Sequence, residues 1–364
     1  MVGSSRSVAI LIENGVEDVE FLIPYNALRK AGAKVTVLGS QLNTKYTGKH
    51  GQVSMEADAT TTEALPEDFD AVVIPGGMAP DRMRTNMNTV NFVRRACEQG
   101  KLVAAICHGP QVLIEGDLLR GRRATGFRAI RKDMENAGAH YEDRPLVVDG
   151  NLITSRRPGD LPIFAAAILR RLGLTVGGYE LPDENNMRAE WWKLGEEWGG
   201  SSKSEIVEAI NTAIKGERYA TEAFEKYAEK VSDTELKETF ARIASDKRRH
   251  VERLERRLTE LGERESLQAA GSSAWATLKS WFQSSDDLAV LRRALGDLQT
   301  GVNDAWNLSL KLTDPVTVEL LDDIAAETAK HEQIVADLLH ARTSKSRLEE
   351  RKSKPTTGTA TSGA

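Results

Sequence analysis

The chain has 364 residues, 28% of them charged and 40% hydrophobic, with a formal net charge of −5, and it holds only two cysteines, Cys97 and Cys107. Such a chain is a soluble globular protein long enough for two domains. The charge gives no basis for a nucleic-acid partner, and two cysteines exclude a disulfide framework and point to a reducing, cytoplasmic compartment. The first apolar run stops at Glu13, too early for a signal-peptide core, and no stretch has the apolar length to cross a bilayer, so no membrane association is expected.

Up to about residue 176, short β-branched apolar runs alternate with amphipathic segments. Strands are predicted at residues 7–12, 34–39, 70–74, 102–107, 123–125 and 151–154, and helices at 19–31, 89–99, 109–116, 130–137 and 161–172. Strands apolar on both faces and separated by helices predict an α/β domain, a mostly parallel sheet sandwiched by helices. Residues 177–204 are rich in Gly, Pro, Asn and Ser and read as a linker, yet they carry Trp191, Trp192 and Trp198. A tether has no use for three tryptophans, so a short helix that packs on a domain or a partner is expected there.

Residues 205–343 read as an all-α domain of four helices, at 204–231, 233–262, 287–312 and 314–343, with a less regular piece at 263–286 that contains Trp275 and Trp281. Ser232-Asp233 and Thr313-Asp314-Pro315 carry the residue types that cap helix N-termini. Residues 344–364 are polar and low in complexity and read as a disordered tail. Asp233, Asp246 and His250 recur at Asp314, Glu327 and His331 with one offset of 81 residues, so the second pair of helices reads as a copy of the first.

The densest chemical signal is Leu102-Val-Ala-Ala-Ile-Cys107-His108-Gly109-Pro110. An apolar strand runs into Cys107 and a helix starts at once behind it, the layout of a nucleophile elbow. The helix N-terminus would favour a thiolate and lower the thiol pKa. His108 would serve as base or ion-pair partner, and its N–H together with that of Gly77 would hold an oxyanion. Gly77 closes a second strand, Ala71-Val-Val-Ile-Pro75-Gly76-Gly77, whose C-terminal end faces the same side of a parallel sheet. Glu17, at the end of the first strand, would lie beside that cleft and, protonated, would hydrogen-bond the sulfur. Glu20 reads as an ordinary helix-face residue, Cys97 as packing, and His50 and His140 as loop or surface histidines.

These motifs, in this order, resemble the PfpI-type intracellular protease and deglycase family of the class I glutamine amidotransferase-like superfamily, over residues 6–173. Thr47-Gly-Lys-His-Gly51, Ala79-Pro80-Asp81-Arg82 and Thr154-Ser155-Arg156-Arg157-Pro158-Gly159-Asp160 match as well. The resemblance implies a flavodoxin-like fold, no cofactor for this domain, and a homo-oligomer, dimer or higher, formed through it. It assigns Cys107 as nucleophile, His108 as the adjacent histidine and Glu17 as the acid on the thiol. Asp81 stands where protease-like members place a glutamate that reaches a neighbouring subunit's site, one methylene shorter here. The implied activity is a stress-related, cysteine-dependent hydrolase or glyoxalase III/deglycase, acting on peptide bonds or on 2-oxoaldehydes and their protein adducts. The alternative is a redox sensor or chaperone in which Cys107 is oxidised rather than turned over.

In the helical half, Ile210, Ile214, Glu217, Thr221, Phe224, Ala228 and Val231 form one stripe at alternating steps of four and three. Glu217 falls inside that apolar seam, as do His250 in the second helix and Glu327 and His331 in the fourth, with Asp246 one turn before His250. Acids and histidines projecting into a four-helix core resemble the ferritin-like superfamily, which implies a di-metal site of iron or manganese built from Glu217, Asp246, His250, Glu327 and His331. The spacing departs from the family's Glu-x-x-His: both pairs here are four apart.

Overall fold

A computed structural model of the protein describes residues 5–177, 180–264 and 286–353. The chain divides into two compact units, one made of Met1–Ile206 and Ser309–Glu319, the other of Val207–Leu308 and Leu320–Ala364.

The first unit is built on a seven-stranded sheet. Its strands are β1 (Ser7–Leu11), β2 (Lys34–Gly39), β5 (Ala59–Thr60), β6 (Ala71–Ile74), β7 (Leu102–Ile106), β10 (Leu146–Asp149) and β11 (Leu152–Ser155), in the order β10-β11-β7-β6-β1-β2-β5. All neighbours are parallel except β10 on β11. Apart from the half-buried Ser7 at the start of β1, the strands β1, β6 and β7 are buried on both faces and carry only Val, Ile, Leu and Ala, as a sheet covered on both sides requires. The helices are α1 (Asp18–Lys30), α2 (Ala79–Thr85), α3 (Met87–Glu98), α4 (Pro110–Glu115), α5 (Arg131–Asn136) and α6 (Leu161–Arg171). From β1 the chain winds outward to β2 in one direction and to β6 and β7 in the other. The switch between β1 and β6 opens a crevice at the strands' carboxyl ends, where such folds bind ligands. Four short strands form two small sheets apart from the main one, β3 (Lys45–Thr47) with β4 (Ser54–Glu56) and β8 (Arg123–Ala124) with β9 (His140–Tyr141).

The segment read as a linker is part of this unit. Helix α7 (Trp191–Glu197) forms within it, and Trp191 and Trp198 are fully buried in the core of the α/β unit, while Trp192 is half-buried. The Trp191 indole N–H donates to the Asn186 carbonyl at 2.9 Å. Ser309–Glu319 also belongs to the first unit, so its boundaries differ from a simple division at residue 176. Ser201 and Thr313 exchange hydrogen bonds of 2.7 and 3.0 Å, and Glu319 accepts from Arg156 and Arg157 at 2.9 and 2.6 Å.

The second unit is carried by α8 (Lys203–Lys230), α9 (Thr234–Glu260), α10 (Asp287–Ser309) and α11 (Pro315–Ser353). Asp233 caps α9 by accepting from the Leu236 N–H at 3.1 Å, and Asp314 caps α11 through Thr317 at 3.0 Å. Phe224, Tyr227 and Phe240 pack edge-on in its apolar core. α11 continues to Ser353, through the start of the segment read as a disordered tail, while residues 354–364 lie outside the described residues, as do Trp275 and Trp281. No helix among the described residues is long and apolar enough to cross a membrane.

Candidate active site at Cys107

Cys107 follows directly on β7 with φ +60°, a left-handed conformation that costs a side-chain-bearing residue free energy. Hydrogen bonds on both sides hold it there: its N–H donates to the Ser155 carbonyl at 3.0 Å, and its carbonyl accepts from Phe127 N–H at 2.9 Å. The elbow read from the sequence is therefore present, with α4 starting three residues later.

Around the sulfur the chain brings four groups. The backbone N–H groups of Gly77 and His108 lie beside the thiol and favour its charged form. The His108 Nδ1 lies 3.4 Å from Sγ, and the imidazole rests on the Phe127 ring with centroids 5.0 Å apart. The fourth group is a carboxyl, and it is Glu20 rather than Glu17. Glu20 is wholly buried beside Cys107, its Oε2 accepts at 2.8 Å from Gly76 N–H, and its Oε1 has no hydrogen-bond partner. Glu17 instead faces the rim, where Lys49 and His50 each meet it at 3.2 Å. The reason is helical phase. Glu17 precedes α1, whereas Glu20 lies in the buried stripe Glu20, Ile23, Pro24, Ala27, Leu28.

The two glycines follow from this crowding. A Cβ on Gly76 would stand 2.6 Å from Glu20 Oε2 and 2.8 Å from both Cys107 Cβ and the His108 nitrogen. Gly77 has φ +75°, and a Cβ there would come within 2.3 Å of the Glu17 nitrogen.

Burial pushes the Glu20 carboxyl up to about 8, and the neighbouring Glu17 charge adds to the rise. Burial likewise pushes the Cys107 thiol above its ordinary range, with the Glu20 charge adding to it and the Gly77 and His108 amides opposing. The lowered thiol pKa expected from the helix N-terminus is thus overridden by desolvation. Burial also holds His108 below its ordinary value, against the pull of the Asp81 charge, so its ring is neutral at pH 7. At that pH the site pairs a protonated carboxyl and a neutral imidazole with one thiol.

Models of known families match the chain in two places. The description "DJ-1/PfpI family" covers residues 6–171, and a domain of unknown function, DUF2383, covers residues 205–307. "Deglycase PfpI" of Pyrococcus furiosus is 46% identical over 154 residues, which are 42% of this chain and 92% of that protein. The chain belongs to the DJ-1/PfpI family. A Bacillus subtilis member, named "Putative cysteine protease YraA", is 43% identical over 160 residues, 44% of this chain and 94% of its own. A crystal structure from Anabaena variabilis, described as a two-domain protein with DJ-1/ThiJ/PfpI-like and ferritin-like domains, is 54% identical. It covers 99% of this chain and 100% of its own, with a TM-score of 0.85.

Within the DJ-1/PfpI domain, Asp81 is exposed on the first turn of α2 and its charge reaches His108 of the same chain. Cys97 is buried beside Arg122 and Asn151, as packing requires. Two residues the sequence did not single out shape the rim. Buried Asp18 accepts from the backbone N–H groups of His50 and Val53 at 2.7 and 2.6 Å, stapling the 48–53 loop over the start of α1. Lys49 on that loop sends its charge toward both Glu20 and His108.

In the DUF2383-containing unit the five ligands expected for a metal are brought together as ion pairs. Glu217 meets His250 Nδ1 at 2.7 Å, Glu327 meets His250 Nε2 at 3.0 Å, and Asp246 meets His331 Nε2 at 2.9 Å. Among the described residues no three His, Cys, Asp or Glu side chains converge on a point where a metal ion would sit. The residues present do not fit a di-metal centre, because their oxygens already face hydrogen-bond donors.

Proposed function

We propose that this protein is a stress-related enzyme in which Cys107 attacks 2-oxoaldehydes and their early adducts on proteins. The observation that carries this reading is the convergence on one sulfur of two backbone amides, a protonated carboxyl and a neutral imidazole. The deglycase name of the Pyrococcus furiosus relative supports the substrate class.

In this reading His108 takes the thiol proton, and the sulfur adds to the aldehyde carbon. The carbonyl π pair moves to oxygen beside the Gly77 and His108 N–H groups, which stabilise it, and His108 returns the proton to give a hemithioacetal. Neutral His108 then removes the hydrogen on the former aldehyde carbon as a proton, and a proton returns to the adjacent carbon. The first carbon is oxidised to a thioester and the second reduced to an alcohol by the same two electrons, so no outside oxidant is required. Water cleaves the thioester, releasing a 2-hydroxy acid and the thiol. Protonated Glu20 donates to the sulfur throughout, avoiding a carboxylate beside a thiolate.

The test is methylglyoxal consumption with lactate formation by wild type and Cys107→Ser, with a peptide substrate run in parallel. Wild type should turn over methylglyoxal and the variant should lose roughly 10³-fold or more. Peptide cleavage without lactate would replace the substrate class with peptide bonds. Absence of both, with selective oxidation of Cys107, would replace the enzyme with a redox sensor.

A further inference from the structure

The polar centre of the helical unit holds a charge that belongs to no ligand motif. Lys247, on α9, is 1% exposed, although lysine is almost never fully buried without a partner. Its ammonium donates to Glu217 Oε1 at 3.0 Å and to Thr328 Oγ1 at 2.7 Å. Around it, each carboxylate oxygen of the expected metal ligands already has a donor. Glu217 Oε2 and Glu327 Oε2 face the two nitrogens of His250, and Glu327 Oε1 accepts from Arg253 at 2.9 Å. Asp246 Oδ2 faces His331, and its Oδ1 accepts from Arg249 at 2.5 Å. His250 stands between the two glutamates with one at each ring nitrogen, so neither nitrogen faces an open position.

The internal repeat shows how the cation is matched. Asp246 bonds the histidine of the other copy, His331, and Glu327 bonds His250, so the two acid–histidine pairs are exchanged between α9 and α11. Lys247 and Thr328, 81 residues apart, are equivalent positions that bond each other across the repeat. The position equivalent to Glu217 is Leu298, also buried. One copy therefore carries a Glu217–Lys247 charge pair where the other carries the neutral Leu298 and Thr328.

We propose that the Lys247 ammonium is the resident cation of this core, so that the helical unit folds without a bound metal. A buried carboxylate that loses its partner is left uncompensated, so Lys247 and Glu217 can be replaced without a large cost only together.

The experiment uses the full chain. Purified wild type should carry no stoichiometric iron, manganese or zinc, and a chelator should leave its Tm unchanged. Lys247→Thr should lower the Tm by roughly 10 °C, the scale of breaking a buried pair. Glu217→Leu with Lys247→Thr copies the second half of the repeat. It should recover most of the Tm. Stoichiometric metal in wild type with a chelator-sensitive Tm would overturn the proposal. So would a Lys247→Thr protein as stable as wild type, or a double variant no more stable than the single one. Should Lys247→Thr not fold, the wild-type metal content and the double variant decide.

Discussion

Replacing Glu20 by glutamine keeps the shape of the buried carboxyl and removes its ability to ionise. In the folded protein this group stays protonated to about pH 8, against an ordinary value of 4.5. Between those two values the unfolded chain has released the proton and the folded chain still holds it, so stability falls as pH rises. The whole interval corresponds to roughly 5 kcal/mol, and the span from pH 5 to pH 7 alone to about 3 kcal/mol. Urea unfolding of wild type and Glu20→Gln across that range should show the variant gaining on wild type by an amount of this order. Activity should respond as well. His108 must be neutral and Glu20 protonated, so turnover should rise with pH through the lowered His108 value and fall near pH 8. Glu20→Gln should keep the rise and lose the fall. A variant whose stability tracks wild type at every pH, or whose activity still falls near pH 8, would refute the assignment of Glu20 as a neutral acid on the sulfur.

Glu17→Gln removes a charge that holds Glu20 protonated, so the alkaline fall in activity should move to lower pH while turnover near pH 6 is preserved; a pH–rate profile reads this directly. Gly76→Ala would force a methyl group into Glu20, Cys107 and the His108 backbone, and steady-state kinetics should show a loss on the order of 10²-fold or more. Trp198→Ala opens a cavity in the core of the first unit and should cost about 3–5 kcal/mol in denaturant unfolding, whereas a mere tether residue would cost almost nothing.

The elbow was legible because its parts are contiguous. An apolar strand, Cys107 and an immediate Gly-Pro helix start leave few alternatives. The thiol's acid partner was misplaced by three residues for a reason the sequence contains. Glu20 sits in an apolar stripe with Ile23, Pro24, Ala27 and Leu28, the same anomaly that singled out Glu217 in the helical half. Applying that test to α1 would have found it. Pairs such as β3–β4 and β8–β9 escaped because strands of two or three residues carry no period to read. Lys247 escaped because a lysine in a charged helix reads as solvated, and only the fold shows its ammonium between Glu217 and Thr328. The pairs at spacing four were visible, but not that each acid would bond the other copy's histidine.

The most direct test of the central claim is intact-mass analysis of the protein quenched during methylglyoxal turnover, followed by mapping of the modified peptide. Covalent attack by the elbow thiol predicts a transient increment of one methylglyoxal on Cys107, absent in Cys107→Ser and prolonged when thioester hydrolysis is slowed. Undiminished lactate formation by Cys107→Ser, or an increment that maps to Cys97, would contradict it.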